Sequence, residues 1–136
     1  MILTNHFKLS EFAVSADYPE LAAEITFTEV EKERIRFFCS NVLEPLRSML
    51  SRPIQITSGK RTVELNQAVG GHPHSHHLFQ EDHGACDIVV EGVDPESIAT
   101  ILLNTAIVRT IIIYKDFLHL SFTDKSEVVN QVKTGE

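Results

Sequence analysis

Residues 108–122, Val108-Arg109-Thr110-Ile111-Ile112-Ile113-Tyr114-Lys115-Asp116-Phe117-Leu118-His119-Leu120-Ser121-Phe122, decide the fold. Two runs rich in β-branched and aromatic residues, 108–114 and 117–122, flank Lys115-Asp116, a spacing that predicts two antiparallel strands with a very tight turn. Strand side chains alternate, so Leu118, Leu120 and Phe122 point to one face while Phe117, His119 and Ser121 point to the other. Upstream, Ala85 to Val90 is a second apolar strand, ended by Glu91-Gly92. Its residues Cys86, Ile88 and Val90 share the core face, which leaves Asp87 beside Val89 on the opposite one. An aspartate and a histidine can therefore project from the same side of one sheet.

Further out, Ile54-Gln55-Ile56-Thr57-Ser58 alternates with period two and stops at Gly59, a third strand. Pro95 to Asn104 reads as a helix with Asp94 as its cap and Pro95 in the first position. Residues 61–69 suit a short helix closed by Gly70-Gly71. Thr28 and Glu31 have capping-box spacing, and Ile35, Phe38, Cys39, Val42, Leu46 and Met49 then form one apolar face of a long helix. Pro45 is expected to kink it, because proline removes a backbone donor and crowds the carbonyl of Asn41. A short helical turn is expected around Ser10-Glu11-Phe12. Helices first and hairpin-linked strands later give an α+β domain with a small antiparallel sheet and helices packed on one face.

At 136 residues the chain has room for one domain, expected to have its core at about 7–122 and a C-terminal tail over 123–136. No apolar run approaches the roughly 18 residues of a membrane span, so no membrane insertion is expected. Net charge is −7 with no basic cluster, which argues against nucleic acid as a partner. Cys39 and Cys86 lack CxxC spacing and suit buried positions in a reducing compartment. The opening Met1-Ile2-Leu3-Thr4-Asn5-His6-Phe7-Lys8 lacks the charged-then-apolar order of a secretory signal, so cytoplasmic synthesis is the expectation, as is a monomer. The unusual feature is histidine: His72, His74, His76, His77 and His83 fall within twelve residues. A ligand from this loop, added to Asp87 and His119, would complete the open three-ligand arrangement of a catalytic zinc. Such a metal would lower the pKa of its water from about 16 towards ~7.

The motifs follow an order that resembles a known family. Phe7-Lys8-Leu9-Ser10-Glu11-Phe12 and Val42-Leu43-Glu44-Pro45-Leu46-Arg47 come first. Ile56-Thr57-Ser58-Gly59-Lys60-Arg61 and Leu65-Asn66-Gln67-Ala68-Val69-Gly70-Gly71 follow. Ser75-His76-His77-Leu78, Ala85-Cys86-Asp87-Ile88 and Asp116-Phe117-Leu118-His119 complete the set. Together they resemble the zinc D-alanyl-D-alanine carboxypeptidase and L-alanyl-D-glutamate endopeptidase family of murein peptidases, whose small members are common in bacteria and bacteriophages. The resemblance implies a Hedgehog/DD-peptidase-like fold, one Zn2+ per chain and the peptidoglycan stem peptide as substrate. It implies an endolysin-like enzyme acting at the cell wall once another factor releases it. Carried over residue by residue, His77, Asp87 and His119 become the zinc ligands and Asp116 the general base. Arg61 becomes the residue that binds substrate and stabilises the oxyanion, and Ser75 a substrate-side hydrogen-bonding residue.

One departure stands out. The family places its aspartate seven residues after the first histidine, whereas here ten separate His77 from Asp87. The extra residues are most simply Gln80-Glu81-Asp82, and His83 stands where the family has glycine. His83 would lie ~13 Å along the strand from Asp87, too far to share one ion, so His77 is kept as ligand and the extra residues are expected to bulge outward. Simpler roles compete: Asp116 as a turn residue, Arg61 as a solvated helix-start residue, and His72, His74 and His76 as exposed loop residues. A catalytically silent zinc-binding or virion-associated domain of the same fold is the alternative function. A histidine-rich metal-sequestering module is a third.

Overall fold

The computed structural model describes residues 1–105, 107–123 and 131–135. Among them, β1 (Gln55–Ser58), β2 (His83–Val89), β3 (Val108–Ile113), β4 (Leu118–Thr123) and β5 (Gln131–Thr134) form one sheet in the order β1-β2-β4-β3-β5. The pairs β1/β2, β2/β4 and β3/β4 are antiparallel. The expectation of a wholly antiparallel sheet needs correcting, because β5 runs parallel to β3. It also lies within the segment expected to be a tail. Residues 131–134 are short, polar and exposed, so their hydrophobic pattern carries no strand signal; pairing with an open sheet edge supplies the order instead.

The core lies on the face that alternation assigned. Cys86 and Ile88 of β2 and Leu118, Leu120 and Phe122 of β4 are fully buried there. A register shift between Val108 and Thr110 changes the phase of β3, so Val108 and Ile111 both reach this face although they are three apart. Against it pack Ile35 and Phe38 of α2 (Glu29–Phe38) and Ile98 and Leu102 of α5 (Pro95–Leu102). The Phe38 and Phe122 rings stack at 4.0 Å, and burying either ring stabilises the fold by about 1.5–3 kcal/mol.

The helix starts are chemical. Thr28 Oγ1 accepts from the Glu31 N–H at 3.1 Å, while the Thr28 N–H donates to Glu31 Oε1 at 2.8 Å, which completes the expected capping box. Asp94 Oδ1 accepts from the Ser97 N–H in the same manner and starts α5. The long helix is not one regular α-helix. It passes from α2 through a π-helical turn (Cys39–Leu43) into α3 (Glu44–Leu50), and Pro45 sits in the first turn of that last piece. The helix expected over 61–69 is α4 (Val63–Ala68), capped by the Thr62 side chain and ended at Gly70, whose φ is +73°. A 3-10 turn (Leu9–Phe12) matches the expected N-terminal turn, and α1 (Pro19–Ala22) was not foreseen. No helix among the described residues is long and apolar enough to cross a membrane.

Candidate metal centre

Sheet register builds two thirds of the site. Asp87 on β2 and His119 on β4 are direct cross-strand partners, so their side chains leave the same face side by side. The third side chain comes from the 3-10 turn His76–Leu78, which packs over β2. Ser75 caps that turn by accepting from the His77 N–H at 3.2 Å, and the Arg61 N–H donates to the His77 carbonyl at 2.7 Å. These two bonds pin the histidine from both sides.

The donor atoms converge. His119 Nδ1 lies 2.9 Å from Asp87 Oδ1, and His77 Nε2 lies 3.2 Å from His119 Nδ1 and 3.3 Å from Asp87 Oδ1. Tetrahedral ligands with bonds near 2 Å stand about 3.3 Å apart, so this spacing suits a single small ion. Among the described residues, His77, Asp87 and His119 are the group placed to hold a metal. His77 is prepared for the role. Its Nδ1 lies 2.7 Å from the Gly59 carbonyl, which can only accept, so Nδ1 carries the proton and Nε2 keeps its lone pair. Burial lowers the His77 pKa and keeps the ring neutral. Burial alone would raise Asp87, but hydrogen bonds to His119 and His77 outweigh it and hold the carboxyl well below the usual carboxylate range. A neutral imidazole and a carboxylate are the forms a metal needs.

The glycine behind His77 is structural. Lys60 N–H donates to the Phe12 carbonyl at 2.8 Å, which brings the Phe12 backbone so close to Gly59 that a Cβ there would stand 2.6 Å from Phe12 Cα. The Leu-Ser-Glu-Phe and Ser-Gly-Lys-Arg motifs are thus two halves of one contact that fixes the His77 ring.

The ligands lie in the wall of an open cavity of about 680 Å³, lined also by Arg61, Ser75, Ile112, Tyr114, Phe117 and Lys133. The family model described as peptidase M15 matches residues 5–121 of the chain, which spans all of these motifs up to β4. The chain belongs to the peptidase M15 family. No curated protein matches it. M15 peptidases are zinc-dependent metallopeptidases, and two imidazoles with one carboxylate are the donor set that zinc takes when a fourth position stays open.

The remaining residues that the M15 resemblance singled out fall as follows. Arg61 lines the cavity; its Nη1 donates to Asn66 Oδ1 at 3.1 Å and its Nη2 lies 4.0 Å from Asp87 Oδ2. It precedes α4 rather than starting it. Ser75 lines the cavity, and among the described residues its hydroxyl hydrogen has no acceptor. Asp116 is exposed on the β3–β4 turn, closed by Tyr114 N–H to the Phe117 carbonyl at 3.1 Å, and is not among the residues lining the cavity. Gln80, Glu81 and Asp82 form an exposed turn, with Glu81 and Asp82 at φ of 54° and 66°, and leave the three ligands together. Buried Arg34 ties that turn to α2 by donating to the His83 carbonyl at 3.0 Å. His83 stacks on His76 at 4.3 Å and takes no place in the ligand group. Asn66, the Gly59 carbonyl, Tyr114 and Lys133 were missed; only the first two lie in motifs that could have signalled them.

Proposed function

We propose that this chain is a zinc peptidase that hydrolyses a peptide bond in the stem peptide of peptidoglycan. The observation carrying the reading is the convergence of His77, Asp87 and His119 in the wall of an open cavity, in a chain of the M15 family. These three residues would hold the metal, one ion per chain, in a domain of the Hedgehog/DD-peptidase kind. A zinc ion there would supply Lewis acidity, activating water and polarising the scissile carbonyl.

The chain's own groups do the rest. Arg61 directs its guanidinium at the carbonyl oxygen as negative charge develops, a stabilisation that grows towards the transition state. Its bond to Asn66 holds the fork in place while the other nitrogen stays beside Asp87. Ser75 donates its free hydroxyl hydrogen to the substrate backbone. Asp116 accepts the proton of the attacking water on a carboxylate oxygen and returns it to the leaving amine. Tyr114 and Phe117, stacked at 4.4 Å, give the peptide an apolar wall. The protein works as a monomer at the cell wall, after release by another factor.

Mass spectrometry of purified peptidoglycan incubated with the zinc-loaded protein tests the proposal. Shortened or severed stem peptides are expected, absent with His119→Ala. Intact stem peptides after exposure to folded, zinc-loaded protein refute it. The exposed position of Asp116, outside the cavity lining, favours one competing reading: a domain that binds zinc without turnover. Tight zinc binding with no cleavage would support that reading.

A further inference from the structure

The cavity over the candidate ligands extends to β5, the sheet strand farthest from β1. Register fixes what that strand contributes. Asp87 pairs with His119, His119 with Ile112, and Ile112 with Lys133. Directly paired residues share a face, so Lys133 stands in the same row as the ligands, two strands beyond His119. At about 4.8 Å per strand, its Cα is about 10 Å from that of His119. The flexible four-carbon stem lets the ammonium span part of this gap across Ile112. Both Ile112 and Lys133 line the cavity.

The charge in this cavity opposes the charge of the chain. The protein carries −7, yet among the described residues the only carboxylate lining the cavity is the ligand Asp87. Arg61 and Lys133 line it as well. Arg61 is already engaged by Asn66 and lies beside Asp87, and another carboxylate, Asp17, lines the smaller adjoining cavity that Arg61 also borders. Lys133 has no ion pair among the described residues. A cation so placed attracts an anion into the cavity and holds it at a fixed distance from the ligands.

We infer that Lys133 is a specificity residue, selecting peptides that carry a carboxylate one or two residues from the scissile bond. One or two residues of extended chain, about 3.5–7 Å, fit the space between the ligand row and the reach of the lysine. The inference rests on the peptidase reading above. The carboxylate can be the C-terminus of the peptide or an acidic side chain, and the chemistry that binds it is the same.

Calorimetric titration of the zinc-loaded protein separates these sources. The probes are acetyl-L-lysyl-D-alanyl-D-alanine with its C-terminal amide, and the α-amide of acetyl-L-alanyl-D-glutamic acid, its side-chain carboxylate free, with the corresponding diamide. Wild-type protein is expected to bind at least one acid about tenfold more tightly than its amide, a preference that shrinks at high salt. The pair that shows the preference identifies the source. Lys133→Met should abolish it with zinc content unchanged, and Lys133→Arg should keep most of it. Equal binding of each acid and its amide by wild type, binding of none of them, or a preference that survives in Lys133→Met overturns the inference. Hydrolysis is scored separately: an acid preference without cleavage refutes the peptidase reading alone, and cleavage without an acid preference refutes the role of Lys133 alone.

Discussion

Gly59→Ala should weaken zinc binding although residue 59 offers no side chain to the metal. The added Cβ would press on the Phe12 carbonyl oxygen and stand 2.6 Å from Phe12 Cα and 2.7 Å from its carbonyl carbon. All three are backbone atoms, and reaching even 3.0 Å requires about 0.4 Å of displacement for Phe12 Cα and more for the carbonyl oxygen, in a close-packed region. Phe12 is fully buried in the core, so part of the strain appears as lost stability, about 1–3 kcal/mol for an overpacked site. The rest moves the Gly59 peptide, whose carbonyl holds His77 Nδ1 at 2.7 Å. Disturbing such an outer-shell partner typically costs about 10–100-fold in metal affinity. Urea unfolding of the metal-free protein measures the first effect, and competition with a chelator the second. Gly70→Ala is the control: its φ of +73° makes alanine strained by about 1 kcal/mol, but no atom lies within 4 Å, so zinc affinity should be unchanged. A Gly59→Ala protein with wild-type stability and wild-type zinc affinity would refute the contact argued here.

His119→Ala and Asp87→Ala should each lose most of the bound zinc by elemental analysis, whereas His74→Ala should keep it; equal zinc in all three removes the ligand set. Asp116→Asn should keep fold and zinc but lose about 10²- to 10⁴-fold in hydrolysis, and near-wild-type turnover across several pH values rejects Asp116 as the base. Deleting residues 80–82 together with His83→Gly should preserve zinc affinity and hold or raise activity, because the turn removed is exposed and contributes no ligand; weaker zinc binding would show that the turn positions the site. Burial raises the Glu44 carboxyl, but the nearby Thr4 hydroxyl and the hydrogen bonds from the His6 N–H and ring outweigh it and leave its pKa below 4.5. Its stabilising effect is therefore present above pH 4.5 and lost as pH falls through the lowered value, so Glu44→Gln should cost stability at pH 7 and nothing in strong acid. Unfolding curves at both pH values check this, and an equal cost at each contradicts it.

How far the sequence reaches depends on the range of the interactions involved. Strand alternation was enough to put His119 opposite Leu118 and Leu120, and Asp87 opposite Cys86 and Ile88, because that rule is local. Whether Asp87 and His119 stand side by side depends on the β2/β4 register, which links residues 32 apart and has no local signature. The resemblance supplied His77, and the structure supplies the reason: a loop held by Gly59, Ser75 and Arg61. Strand β2 begins at His83 rather than Ala85 because pairing with Thr123 of β4 extends it beyond the apolar run. The π-helical turn ahead of Pro45 has no periodicity of its own; it shifts the apolar face by one residue and looks like a continuous helix in the sequence. Lys133 was invisible for a related reason, since it matters only once β5 has found β3.

That pairing has a second consequence, concerned with self-association rather than catalysis. Without β5, strand β3 would be the edge of the sheet and would present the unpaired backbone of Ile111, Ile112 and Ile113 to any passing chain. Three consecutive isoleucines on an open edge invite another copy to add a strand. Strand β5 occupies that edge and substitutes its own outer border, on which Gln131, Val132, Lys133 and Thr134 are all exposed. A charged, four-residue edge is a poor template for further growth. Versions of this protein shortened to Thr123 for expression or fusion would retain every candidate metal ligand and still tend to aggregate through β3.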